Sequence, residues 1–219
     1  MATTSERSHA QLPRLHVITP AGAPTVVAAA VEQALVGGAP LVQLRVKGGT
    51  DRSCWQLAVD VAARCRAAGA TLVVNDRADI ATAIGADGVH LGADDLPVRA
   101  VRAIVGPGAL IGATCRDVEA ARRAEAEGAD YLGVGPAFAT STKSGLPEAL
   151  GPAGVARVAA AVRVPVIAIG GVNVERAVAL IEAGAWGVAV CGAVFATADP
   201  GDSVEALVTA TGCGKGAPA

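Results

Sequence analysis

Short runs of branched aliphatic residues alternate along this chain with longer Ala-rich stretches of helical character. Apolar runs of four or five residues bounded by Gly, Pro or Asp read as buried strands, and the stretches between them as helices. In order, Leu15–Thr19 precedes a helix over Thr25–Val36, Leu41–Arg45 precedes Asp51–Ala68, Thr71–Val74 precedes Ala78–Ile84, and Gly88–Leu91 precedes Leu96–Val105. The second half continues with Leu110–Ala113 and Val118–Glu127, Tyr131–Val134 and Pro152–Val162, Pro165–Ile169 and Val174–Ala183, then Gly187–Val190 and Val204–Ala210. Asp51 is placed to cap the second helix. Glycines in AGA (68–70), EGAD (127–130) and EAGAWG (182–187) fall where a helix must turn into the next strand.

Alternation of this kind predicts a parallel sheet with helical crossovers, and eight pairs predict closure: an α/β fold, a single (β/α)8 TIM barrel. An open doubly wound sheet is the competing architecture. With no linker rich in Pro or Ser and no charge block, one domain is expected over residues 13–212, with flexible tails at 1–12 and 213–219.

Composition sharpens this picture. At 219 residues the chain fits one barrel and is too short for two full α/β domains. Hydrophobic residues are 52% and aromatics only 2%, so the core must be aliphatic; 17% charged residues is too few for a disordered chain. A net charge of −2 gives no reason to expect nucleic acid, although a few cations in a cleft still suit anionic ligands. The five cysteines (Cys54, Cys65, Cys115, Cys191, Cys213) are odd in number and lack CxxC spacing, which argues against a disulfide framework or zinc. Several occupy apolar positions, as small buried hydrophobes. The opening MATTSERSHAQLPR has no apolar segment of a signal peptide, and no run of about 18 apolar residues could span a bilayer. A cytoplasmic protein with no membrane partner is expected; a homo-oligomer is left open.

Barrel enzymes carry their sites at the C-terminal ends of the strands, and polar residues gather there in this sequence. Strand alternation puts Gln43, Arg45 and Lys47 on one side, with Leu44 and Val46 on the other. These cations either form structural salt bridges or bind a diphosphate. Asp76 follows the third strand, beside Asn75, and Asp95 the fourth; they either hold Mg2+ between protein and phosphate or cap the helices that follow. After the sixth strand a long loop carries Thr140, Ser141, Thr142, Lys143 and Gly145, suited to closing over a phosphate, with a merely solvated Lys143 as the bland reading. Gly170-Gly171 and Cys191-Gly192-Ala193 follow strands seven and eight, where backbone N–H groups can meet phosphate oxygens. His9 lies in the tail. His16 and His90 lie within strands and read as hydrogen-bonded structural residues; no nucleophile is assigned.

These segments, in order, resemble the thiamine-phosphate synthase family. The pieces are VQLRVK (42–47), VNDRADIA (74–81), GVHLGADDLP (88–97), GADYLGVGPAFATSTKSG (128–145), ALG (149–151), PVIAIGG (165–171) and GVAV (187–190). The resemblance implies an enzyme joining 4-amino-2-methyl-5-hydroxymethylpyrimidine diphosphate to hydroxyethylthiazole phosphate, with loss of diphosphate through a pyrimidine-methyl cation. It implies that Gln43, Arg45, Lys47 and Asn75 contact the pyrimidine diphosphate, Asp76 and Asp95 hold Mg2+, and Lys143 contacts the diphosphate. Thr140 and Thr142 would face the thiazole, and Gly171 and Gly192 its phosphate. Arg45, Lys47 and Lys143 would then be the catalytic cations. Three positions depart from the family pattern: Thr114-Cys115-Arg116 stands where SxH is common, Ala93 where Gln is, and Gly192 where Ser is. Thr114 retains the hydroxyl as a substrate contact, and Gly192 retains its backbone N–H. A thiazole tautomerase-like enzyme, which would not need Asp76, Asp95 and the TSTK run, and a non-catalytic phosphate-ligand sensor, for which nothing in the sequence looks like an output module or DNA-reading helix, are the rival readings.

Overall fold

The protein, as a computed structural model, is described over residues 12–140 and 145–212. Eight parallel strands close in sequence order: β1 (Leu15–Ile18), β2 (Leu41–Leu44), β3 (Thr71–Asn75), β4 (Gly88–Leu91), β5 (Leu110–Cys115), β6 (Tyr131–Val134), β7 (Val166–Ile169) and β8 (Gly187–Val190). Leu15 lies opposite Val188 and Val17 opposite Val190, so the last strand pairs with the first and the open-sheet alternative falls. Helices α1 (Pro24–Val36), α2 (Asp51–Ala68), α3 (Ala78–Ile84), α4 (Val98–Val105), α5 (Val118–Ala126), α6 (Gly151–Ala159) and α7 (Val174–Glu182) make the crossovers; α8 (Gly192–Phe195) and α9 (Pro200–Ala210) follow β8. No helix among the described residues is long and apolar enough to cross a membrane.

Period-two alternation sorts each strand into an outward and an inward set. Leu15, Val17, Val42, Leu44, Val74, Val89, Ile111, Leu132, Val166 and Val188 face the helices and join Val27, Val31, Leu57, Val61, Val155 and Leu180 in one aliphatic layer. Ile18, Leu41, Val73, Tyr131, Ile167 and Ala189 form a separate cluster, the barrel interior. Buried polar groups stand among them, including His16, Gln43 and His90. Tyr131 Oη hydrogen-bonds with His90 Nδ1 (3.1 Å), and the His16 ring meets Tyr131 edge-on at 5.1 Å. His16 Nε2–H donates to the Pro13 carbonyl (3.1 Å). Both histidines are the structural, hydrogen-bonded residues their strand positions predict. Room for this column comes from glycine: a Cβ on Gly112 would lie 2.1 Å from Tyr131 Cζ, and one on Gly133 2.9 Å from His90 Cε1.

The floor of the barrel is closed from the N-terminal side. Trp186 Nε1–H donates to the Leu12 carbonyl (3.0 Å), Arg14 Nε–H to the Trp186 carbonyl (2.8 Å), and the Arg14 guanidinium lies over the indole. Apart from Leu12, which is buried, the expected tails fall outside the described residues.

Three local expectations are corrected. Thr50, not Asp51, caps α2: its Oγ1 accepts from Ser53 N–H in a capping box, leaving Asp51 as the first helical residue, where a negative charge still suits the helix dipole. Strand β2 ends at Leu44, because Arg45 turns away to bond Thr19, so Arg45 and Lys47 lie beyond the strand. The last helix begins at Pro200, four residues before the expected Val204, with Asp199 as its cap.

Candidate active site

The C-terminal mouth of the barrel is assembled by the ends of β2 to β8. Asp76 is the residue after β3, held with φ 65°, a left-handed conformation that Asp tolerates better than most residues. Its N–H donates to the His90 carbonyl (2.8 Å) and its carbonyl accepts from Ala78 N–H (3.1 Å), which fixes the turn. The side chain is thereby free to meet Lys47, whose Nζ donates to Asp76 Oδ2 at 2.6 Å. Asp95 sits in the β4–α4 connection and accepts the Gly92 N–H at Oδ2 (2.6 Å). Neither aspartate caps a helix: the cap positions of α3 and α4 are Arg77 and Pro97. The helix-cap reading of this pair is therefore excluded.

Instead, the two carboxylates converge. Burial first, and then the Asp76 carboxyl within hydrogen-bonding reach, push the Asp95 carboxyl above its ordinary range, against the pull of Gly92 N–H and Lys47. A Cβ at Gly92 would lie 2.9 Å from Asp95 Oδ2 and 3.9 Å from Asp76 Oδ1, so the missing side chain leaves a small cradle facing both. Like charges held this close call for a cation between them, and an all-oxygen pair selects a hard one. Among the described residues no group of three or more His, Cys, Asp or Glu could hold a metal, so the pair offers two carboxylates and no third such side chain. The residues present fit a divalent cation that binds jointly with an anionic ligand.

Arg45, Gln43, Asn75 and Thr114 complete the nearer half of the mouth. Thr19, buried at the end of β1, accepts Arg45 N–H at Oγ1 (2.9 Å), tying the ends of β1 and β2 together. Among the described residues no carboxylate pairs with the Arg45 guanidinium, so the salt-bridge reading holds for Lys47 and not for Arg45. Gln43 is buried on the inner wall, and Asn75 pairs across the sheet with His90. Thr114 is exposed inside a buried strand, so it opens onto the mouth, and its Oγ1 hydrogen-bonds with His90 Nε2 (3.0 Å). Burial draws the His90 pKa down to about 4, so its ring is neutral at pH 7 and serves Thr114 and Tyr131 as a hydrogen-bonding partner.

The farther half is built on glycine. Gly170 (φ 99°) and Gly171 (φ 63°) let β7 turn close under the β6 loop, where a Cβ on Gly171 would lie 2.4 Å from the Ala139 carbonyl oxygen. Ala137 N–H donates to the Ile169 carbonyl (2.7 Å) and Phe138 N–H to the Gly170 carbonyl (2.9 Å), so the base of the β6 loop continues the sheet. Thr140 is the last described residue before the gap; Thr142 and Lys143 lie outside the described residues. Beyond β8, Gly192 opens α8, one turn that the sequence pattern does not reveal because four residues carry no periodicity. A short extra helix after β8 is a recurrent anion-binding feature of this architecture.

Sequence reasoning also missed Thr19 and Arg176. Arg176 Nη1–H donates to the Gly171 carbonyl (2.6 Å) and its guanidinium stacks over Phe138 at 4.6 Å. Thr19 reads as the last residue of a strand, and Arg176 as one more charge on a helix. Only the folded contacts distinguish them.

A closed (β/α)8 barrel with cations, converging carboxylates and glycine-built loops at its C-terminal mouth has the make-up of a barrel enzyme, with its polar groups where such enzymes carry their sites. Residues 15–194 match the family model described as thiamine monophosphate synthase. The chain is 51% identical over 204 residues to the thiamine-phosphate synthase of Salinispora tropica, covering 91% of this chain and 97% of that protein. It is 47% identical over 189 residues to the same-named enzyme of Chlorobium luteolum, covering 85% and 89%. Among solved structures, a thiamine phosphate pyrophosphorylase from Pyrococcus furiosus superposes with a TM-score of 0.83 at 33% identity, covering 93% of this chain and 97% of that one. The chain belongs to the thiamine-phosphate synthase family and is a transferase of thiamine biosynthesis.

Proposed function

We propose that residues 13–212 form a catalytic unit that joins an aminopyrimidine-methyl diphosphate to a hydroxyethylthiazole phosphate at this mouth. The C–O bond between the pyrimidine methylene and the diphosphate breaks, and its electron pair leaves with the diphosphate. The thiazole nitrogen lone pair then forms the new C–N bond, giving thiamine phosphate. No proton has to be moved by the protein, which accords with a mouth whose histidine is buried, neutral and hydrogen-bonded on both ring nitrogens.

The observation that carries this reading is the Lys47–Asp76–Asp95 cluster, together with Arg45, two residues before Lys47, whose guanidinium no described carboxylate neutralises. Asp76 and Asp95 would hold Mg2+, which when bound neutralises charge on the diphosphate oxygens. Arg45 and Lys47, from the end of β2, hold the diphosphate as negative charge grows on it, and Lys143 approaches from the β6 loop. Gln43 and Asn75 orient the pyrimidine, with Thr114 on the neighbouring wall. Thr140 and Thr142 face the thiazole, and the backbone at Gly171 and Gly192 binds its phosphate. Arg176, through the Gly171 carbonyl, fixes that loop.

Thiamine phosphate formation is to be followed in the wild type, Lys143→Ala and Asp95→Asn, each with Mg2+ and with excess chelator. The expected result is metal-dependent product in the wild type and a loss of roughly a hundredfold or more in both variants, the usual scale for removing one group aimed at developing charge. Undiminished turnover in chelator, or in Asp95→Asn, contradicts the proposed metal site.

A further inference from the structure

Arg116 stands where the family pattern has another residue, and it is the first residue beyond β5, two positions after Thr114. Its Nη2–H donates to the backbone carbonyl of Glu148, on the returning limb of the connection between β6 and α6. That connection is pinned at its two bases: Ala137 to Ile169 and Phe138 to Gly170 on the way out, Leu150 to Pro136 (2.9 Å) and Gly151 to Ala137 (3.0 Å) on the way back. Among the described residues, no other hydrogen bond reaches residues 145–149. The second guanidinium nitrogen, Nη1, is buried without a hydrogen-bond partner among the described residues. The side chain lines a groove of about 490 Å3 between α5 and α6, with Leu150, Gly154, Arg157 and Val158.

This geometry separates positioning from stability. A buried N–H without an acceptor destabilises, so an unbranched apolar chain of similar length would fill the same space without that loss. What the guanidinium adds is its grip on the Glu148 carbonyl. We infer that Arg116 is a positioning residue for the proposed transfer: by holding the Glu148 carbonyl it fixes where the β6–α6 connection returns to the barrel rim, against the Ala137–Phe138 base that packs on Gly170 and Gly171. The inference rests on the function proposed above. It concerns a residue that touches the loop backbone and not the reacting atoms.

Arg116→Met and Arg116→Lys test it, compared with the wild type by steady-state kinetics, thermal unfolding and amide exchange. In Arg116→Met, kcat/KM for the pyrimidine diphosphate is expected to fall about tenfold, the scale of a small displacement of catalytic groups. The Leu150 and Gly151 amides should lose protection while Tm is unchanged or rises. Arg116→Lys, whose ammonium can still donate to Glu148, should recover most of both. The inference is overturned if Arg116→Met keeps kcat/KM within about twofold of wild type, or if its loss of activity tracks a fall in Tm with Leu150 and Gly151 still protected. Equal impairment of the Lys and Met variants also overturns it, by requiring the guanidinium itself at the substrate. If the wild type makes no product, the functional reading fails, and the exchange of Leu150 and Gly151 still decides whether Arg116 holds the loop.

Discussion

Asp76 combines two demands that rarely coincide: a left-handed backbone and a carboxylate aimed at a neighbouring cation. Asn satisfies the first as well as Asp does, and fails the second. Asp76→Asn should therefore keep Tm within a few degrees while product formation falls about a hundredfold; a comparably large fall in Tm would mean that the carboxylate is structural. Lys47 is the partner to watch, because the same ammonium that neutralises Asp76 is the one proposed to hold diphosphate. Both residues were legible in the sequence, since charge at consecutive strand ends of a barrel has few uses. Their pairing was not, because 29 residues separate them. The contact between Thr19 and Arg45, 26 apart, escaped for the same reason.

At the scale of elements, the barrel interior is filled by a few aromatic rings among aliphatic chains, and small residues opposite them are obligatory. Gly112→Ala would drive a methyl into Tyr131, and destabilisation of about 3 kcal/mol or more is expected in chemical denaturation, at the upper end of overpacking costs. Tyr131→Leu in the same chain should recover part of that loss; additive losses would place the strain elsewhere. Strand and helix order was readable because aliphatic runs and helix-ending glycines mark every αβ unit. Boundaries were less so. Strand β2 looks one residue longer in sequence because Arg45 continues the alternation, and the α2 cap shifts to Thr50 because Thr and Asp compete for one turn. Nothing in Gly192–Phe195 announces a helix; closure of the barrel puts that turn after β8, the strand paired with β7.

Across the whole molecule, enclosing two histidines in the barrel links stability to pH. Burial lowers the pKa of His16 from 6.5 to about 3, with the nearby His90 adding to the effect, and that of His90 from 6.5 to about 4. Below pH 6.5 the unfolded chain binds protons that the folded one refuses, so their stabilising contribution is full above that pH. It is lost progressively as the pH falls towards 4 and on towards 3. Urea midpoints should decline over that window, and less steeply in His16→Gln; a wild-type midpoint that stays flat between pH 6.5 and 4 would mean that the rings are not held neutral.

The most direct measurement mixes the purified wild-type chain with the pyrimidine diphosphate, the thiazole phosphate and Mg2+, and quantifies both products over time. Thiamine phosphate and diphosphate are predicted to appear in equal amounts, neither forming when one substrate is withheld. Failure to form either, with the thiazole phosphate demonstrably bound, would contradict the account.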